Sequence, residues 1–167
     1  MSTEDGERSG RPKEYCYISS LLHYNMKHLV VFALVLVAVN GLSESLIDEM
    51  KEKVQTFGLE CAQQEKATEE DIQALLKKQA PVTHGGKCTI FCTMKKFDLM
   101  KEDGSFGPGD LDWIERAKAD DPEFMNKLLS VQVTCGKIEL DSDPCETALN
   151  AAKCAKEEGT KLGITSI

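Results

Sequence analysis

From residue 42 onward the apolar positions recur every three or four residues and hardly ever alternate, the period of helices rather than strands. Between Ser43 and Gly58, Leu46, Met50, Val54 and Phe57 share one stripe with Ile47 beside it, and Glu60 and Cys61 continue or follow that helix. Thr68-Glu69-Glu70-Asp71 has the form of a capping box with acids in the first turn; Ile72, Leu75 and Leu76 follow at helical spacing, and Pro81 stops the run. His84-Gly85-Gly86 reads as a flexible lead-in to a central amphipathic helix, Lys87 to Lys101, which Asp103-Gly104 closes. In that helix Cys88 and Cys92, one turn apart, project from one side, while Ile90, Met94 and Phe97 lie on roughly the opposite one. After the loop Ser105 to Gly109, the segment Asp110 to Ala119 carries Leu111, Trp113, Ile114 and Ala117. Asp121-Pro122 and Asp143-Pro144 then give one start signal twice: an N-cap acid, followed by a proline whose missing N–H does no harm at the first helical position. The first opens a helix bearing Phe124, Leu128, Val131 and Cys135. The second opens one bearing Cys145, Leu149 and Ala152 with Ala148, Ala151 and Ala155, ended by Gly159. The predicted class is all-α.

The stretch before residue 42 differs in kind. Residues 1–25 are polar, mixed in charge and aperiodic; Met26, Lys27 and His28 then precede an apolar run of eleven residues, Leu29 to Val39, and Val39-Asn40-Gly41 offers small or tolerated residues at a cleavage position. Basic, apolar and small in that order describe a secretory signal peptide, and eleven apolar residues fall well short of the roughly 20 that span a bilayer. The expected organisation is therefore an upstream extension over residues 1–25 outside the fold, a signal peptide over 26–41, and one secreted, extracellular helical domain over 42–167.

Charge and cysteine content sharpen this. Four basic and four acidic residues leave with the leader, so the mature net charge stays at −8, which argues against nucleic acid or an anionic membrane as a partner. All three tyrosines and two of the three histidines leave as well, and with them most candidate acid/base groups. Of seven cysteines, Cys16 precedes the leader; the six that remain, Cys61, Cys88, Cys92, Cys135, Cys145 and Cys154, read as a disulfide framework. Six cysteines admit about 15 pairings, and spacing alone does not choose among them. Cys145 and Cys154 are nine residues apart, about 900° of helical turn, so they point in nearly opposite directions and go to different neighbours. Such staples hold a small helical domain without a filled core and leave room for a cavity.

The cysteine gaps of 26, 3, 42, 9 and 8 residues, behind a signal peptide in an all-helical chain, resemble those of the insect odorant-binding proteins of the six-cysteine, pheromone-binding type. The resemblance covers residues 42–167 and implies about six helices around an internal hydrophobic cavity, stapled by three disulfides: Cys61 with Cys92, Cys88 with Cys145, and Cys135 with Cys154. It implies a carrier that binds small hydrophobic odorant or pheromone-like ligands and delivers them to membrane receptors. On that footing Val54, Leu76, Ile90, Met94, Phe97, Met100, Trp113, Ile114, Phe124, Leu128, Leu129 and Ala151 are the expected wall; on their period alone they read as ordinary core residues. Met50, Met94, Met100 and Met125 suit ligands of varied shape, and few aromatics with several alanines in the last helix suggest a wide, weakly selective cavity. The 13 residues after Cys154 are too few for a helix that enters the cavity, as in long-tailed relatives; Leu162, Ile164 and Ile167 are expected to cover its mouth.

Other chemistries fit poorly. His84, Cys88 and Cys92 have metal-gripping spacing, but an oxidising compartment consumes the thiols. A calcium loop over residues 99–110 would place Leu99 and Lys101 at ligand positions. A hydrolase would have to work through His84 alone, since no nucleophile or phosphate-binding motif accompanies it; His84 otherwise reads as an exposed loop residue or a pH sensor. The expectation is a protein with no catalytic residues, metal or cofactor, whose partners are a small hydrophobic ligand, an odorant receptor or other membrane protein, and a weakly associating second copy. The competing reading is a secreted recognition protein that docks by its surface on a receptor or another carrier.

Overall fold

Every helix after the first begins on a side chain that accepts a hydrogen bond from its own first turn. The computed structural model describes residues 42–164, so the extension, the signal peptide and Ile167 lie outside the described residues. Within them run α1 (Glu44–Gln64), α2 (Glu69–Leu76), α3 (His84–Lys96), α4 (Leu111–Asp120), α5 (Pro122–Cys135) and α6 (Pro144–Lys161). Thr68 accepts from the Asp71 amide, Thr83 from Gly86, Asp110 from Trp113, Asp121 from Phe124 and Asp143 from Cys145, and Pro122 and Pro144 open α5 and α6. Each cap satisfies an N–H that the helix leaves without a partner. Among the described residues the one β feature is an isolated antiparallel bridge between Met100 and Phe106. No helix among them is long and apolar enough to cross a membrane.

The helix ends differ from the sequence expectation, for one recurring reason. Lys66, Lys78 and Asp98 take φ values of 55°, 56° and 54°. Just beyond each, an amide reaches back: Ala67 to the Ala62 carbonyl at 2.9 Å, Gln79 to Ala74 at 2.8 Å and Leu99 to Met94 at 2.9 Å. This left-handed reversal uses up the last carbonyls and ends the helix. So α2 stops at Leu76, ahead of Pro81, and the central helix spans His84–Lys96 in place of Lys87 to Lys101. Gly85 and Gly86 are part of its first turn, not a flexible lead-in. A Cβ on Gly85 would lie 2.6 Å from the Glu65 carbonyl oxygen, and one on Gly86 2.5 Å from Pro81 Cβ and 2.6 Å from Asp71 Cγ, so close packing demands glycine at both. Helix α1 runs unbroken through Gly58, and Gly159 lies inside α6, where Gly163, at φ 75°, is the reversing residue.

The helices form a circuit. Helix α3 packs on α1 and α6, and α5 on α6 and α4. Three of these four joints carry the disulfides: Cys61–Cys92 ties α1 to α3, Cys88–Cys145 ties α3 to α6, and Cys135–Cys154 ties α5 to α6. That is the pairing implied by the family resemblance. With partners 31, 57 and 19 positions apart in sequence, each bridge stabilises the fold by about 3–4 kcal/mol through chain entropy. The fourth joint needs no bridge, since Asp121 ends α4 and caps α5.

Helix α2 is attached by its polar start. None of its apolar side chains is fully buried, whereas Asp71 is wholly buried. The Asp71 carboxylate accepts from the Thr68 amide at 3.0 Å and hydroxyl at 2.8 Å, from the Val82 and Thr83 amides at 2.9 and 3.0 Å, and from the Thr83 hydroxyl at 2.5 Å. Burial by itself would raise its pKa, but the donors on Thr83 and Thr68 outweigh that and hold the carboxyl well below the usual carboxylate range. The capping box of α2 is thus also the latch that fixes the start of α3.

Candidate functional site

Helix α4 is short, and its period places Trp113 and Ala117 on one face, both buried. Asp110 accepts from the Trp113 amide at 3.1 Å, which fixes the indole at the third position of the helix. Across from it, α1 brings Leu46, with Leu42 two residues ahead of the helix, and α5 brings Met125. These five form a buried apolar cluster, and Ile47, Met50, Ile114, Phe124, Leu128 and Leu129 pack against it while remaining only partly buried.

Five of the twelve residues expected to form a ligand wall, Trp113, Ile114, Phe124, Leu128 and Leu129, therefore meet here. The other seven lie elsewhere. Phe97, Met100 and Ala151 are buried, Ile90 and Met94 are half-buried on α3, and Val54 and Leu76 are 47% and 70% exposed. Phe97 is the C-cap of α3 and Met100 lies beyond the left-handed Asp98, off the stripe; Phe97 meets Phe57 of α1 edge-on, with ring centroids 5.2 Å apart. The α1 contribution to the cluster, Leu42, Leu46, Ile47 and Met50, was not among the expected wall residues. Helical period marks those residues as one face without naming the face they meet.

The same two helices are tied alongside the cluster by charge. Arg116 of α4 makes a two-pronged contact with Glu49 of α1 at 2.6 and 2.7 Å and holds Asp112 at 3.0 Å. Lys53 of α1 bridges Glu49 at 3.2 Å and Asp110 at 3.1 Å. Hydrogen bonds from Arg116, then from Lys53, pull the Glu49 carboxyl down to about 2, and the Trp113 amide, with Lys53, lowers Asp110. These contacts close the circuit, returning α4 to α1. The Ser43 amide adds a contact to Asp120 at 2.6 Å.

His84 opens α3 and does not lie in a loop. Its exposed ring has Nε2 2.9 Å from Asp143 Oδ2 and Nδ1 3.5 Å from Cys88 Sγ. His84, Cys88 and Cys145 offer ligand atoms within 4.8 Å of one another, but the two sulfurs are bonded to each other, and Cys92 is bonded to Cys61. The thiolates that a metal would need are consumed in disulfides.

Comparison with known proteins agrees with this arrangement. A model of the PBP/GOBP family matches residues 43–158. General odorant-binding protein 28a of Drosophila melanogaster is 30% identical over 139 residues, covering 78% of this chain and 96% of its own length. The solved structure of odorant-binding protein dmelOBP28a from the same fly superposes with a TM-score of 0.57 at 30% identity, over 70% of this chain and 97% of that one. A fatty acid binding protein, OBP56a, from the oral disk of the blowfly Phormia regina gives a TM-score of 0.53 at 25% identity, over 72% of this chain and 96% of its own. With its family match and with three disulfides and six helices among the described residues, this chain belongs to the PBP/GOBP family, that of the insect pheromone-binding and general odorant-binding proteins.

Proposed function

We propose that the mature chain is a secreted carrier that takes up small hydrophobic molecules, odorant or pheromone-like in kind, and delivers them through extracellular fluid to membrane receptors without transforming them. The observation that carries this reading is the unfinished cluster between α1, α4 and α5, where six large apolar side chains stay only partly buried around a small buried centre. In a domain held by three disulfides and a closing charge network, those side chains are free to gain their remaining contacts from a ligand. Burial is worth about 0.8 kcal/mol per methylene, so a chain of about 16 carbons supplies roughly 13 kcal/mol, which after association costs of about 4–5 kcal/mol leaves the roughly 8 kcal/mol of micromolar binding. That a similar solved structure is named a fatty acid binding protein supports an apolar-chain ligand. The proposed wall is Trp113, Ile114, Phe124, Leu128 and Leu129, with Ile90, Met94, Phe97, Met100 and Ala151 beyond them and Val54 and Leu76 the most exposed members.

The test is displacement of a fluorescent apolar probe, N-phenylnaphthylamine, from the oxidised, delipidated protein by volatile alcohols, aldehydes, esters and fatty acids. Saturable micromolar displacement at one site per chain is expected. Failure to take up the probe or any of these compounds would overturn the carrier and favour a protein that acts by surface docking.

A further inference from the structure

One polar atom in the apolar cluster has no partner. Trp113 is 7% exposed, and its indole Nε1–H is shut off from solvent with no acceptor in reach, the single buried side-chain nitrogen or oxygen so placed among the described residues. A buried donor without an acceptor is a cost that folded proteins rarely leave standing, and it marks a place where an absent group belongs. The side chains of the apolar cluster cannot supply one: Leu42, Leu46, Ala117, Met125 and the partly buried residues packed against them carry no oxygen. Arg116, one turn along α4, is a donor only and gives its N–H groups to Glu49 and Asp112.

We propose that Trp113 Nε1–H is the donor that fixes the orientation of the bound ligand, and that it selects neutral apolar molecules carrying one acceptor oxygen, such as esters and ketones, over hydrocarbons of equal shape. This assignment rests on the carrier reading above. Neutrality follows from the surroundings. A single N–H among apolar side chains satisfies a carbonyl oxygen, whereas a carboxylate there would be a buried charge with no counter-ion. Room for the oxygen comes from Met50 and Met125, the unbranched members of the cluster, whose thioether chains shift at little cost.

The chain has one tryptophan, so its emission reports on the surroundings of this indole. Methyl octanoate, decane and nonanoic acid, close in length, are titrated against the oxidised protein with N-phenylnaphthylamine displacement and tryptophan emission as the two readouts. The probe-displacement titrations alone are repeated on Trp113→Phe and on protein in which benzothienylalanine, shaped like tryptophan but without the N–H, replaces Trp113. The wild type is expected to bind the ester about ten-fold more tightly than decane or nonanoate, the worth of satisfying one buried donor, with a shift in tryptophan emission for the ester alone. Both replacements are expected to lose that preference, each binding the ester and decane with equal affinity. Equal affinity of the wild type for ester and decane, or a preference that survives loss of the N–H, would overturn the assignment and leave the carrier reading intact. Binding of none of the three compounds, nor of the probe, would overturn both.

Discussion

Replacing Asp71 by asparagine tests whether a buried charge, rather than apolar packing, holds α2 and the start of α3. The carboxylate accepts five hydrogen bonds from Thr68, Val82 and Thr83. Asparagine keeps one oxygen, able to serve the Val82 and Thr83 amides, but turns an NH2 group toward the Thr68 N–H and gives up the charge. Hydrogen bonds to a charged group are worth about 1.5–3 kcal/mol each, and an unsatisfied buried donor costs about 1–3 kcal/mol, so a net loss of about 2–3 kcal/mol is expected, a large part of a typical 5–15 kcal/mol stability. Asp71→Ala, which abandons both amides, is expected to lose about 4–5 kcal/mol. Urea unfolding of the oxidised proteins measures this as a lower midpoint at unchanged slope. The pH dependence gives a second check. The folded pKa of Asp71 lies below its unfolded value of about 3.9, so the stabilisation is complete above about pH 4 and is lost as pH falls through the folded pKa. Asparagine does not titrate, so the gap between wild type and variant should hold steady above about pH 5 and narrow by about 1 kcal/mol at pH 3. A loss below about 0.5 kcal/mol at neutral pH, or a gap unchanged at about pH 3, would refute the latch.

Three further outcomes follow from the same joints. Glu49→Gln is expected to destabilise the protein at neutral pH; because Arg116 and Lys53 hold Glu49 down to about 2, the wild type's advantage should be full above about pH 4.5 and fade toward about pH 2, and urea midpoints that differ equally at both ends would count against it. Lys66→Gly and Lys78→Gly place the favoured residue at left-handed positions and should each raise thermal stability by about 0.5–1 kcal/mol, seen as a higher melting temperature by circular dichroism; a lower one would show that the lysine side chains matter there. The double replacement Cys88→Ser and Cys145→Ser opens a link between partners 57 positions apart and should lose about 4 kcal/mol in guanidinium unfolding while the other two bridges persist; a loss under about 1 kcal/mol would mean that the α3–α6 joint stands without its staple.

Local signals were legible in the sequence and distant ones were not. Asp121-Pro122 and Asp143-Pro144 are complete start signals within two residues, and both open helices where the chain places them. The Thr68–Asp71 box was equally plain, but the second half of its function depends on Thr83, twelve residues beyond Asp71, which only the turn after α2 brings within 3.0 Å. Helix ends were misjudged where lysine or aspartate takes the left-handed position that glycine usually fills, because nothing in the composition of Lys66, Lys78 or Asp98 announces it. Apolar period picked out Trp113, Ile114, Phe124, Leu128 and Leu129, which do meet; it could not say that the first turns of α1 would face them. The disulfide pairing came from the resemblance, since helical geometry left several pairings open.

The order of the joints explains how such a chain can leave its centre unfinished. Going round the circuit, covalent bonds secure α1 to α3, α3 to α6 and α6 to α5, a shared aspartate joins α5 to α4, and Arg116 with Lys53 returns α4 to α1. Every joint in that ring is covalent, capped or charged, so none depends on Ile47, Met50, Ile114, Phe124, Leu128 or Leu129 being fully covered. In a domain whose helices are held by core packing alone, withdrawing contacts from six large side chains would cost several kcal/mol, on the order of the whole stability. Here those side chains can exchange one apolar neighbour for another while the helices keep their places, which is what reversible uptake of a hydrophobic ligand asks of a carrier. The Trp113 N–H then stands as the one element in the cluster able to tell such ligands apart by more than their size.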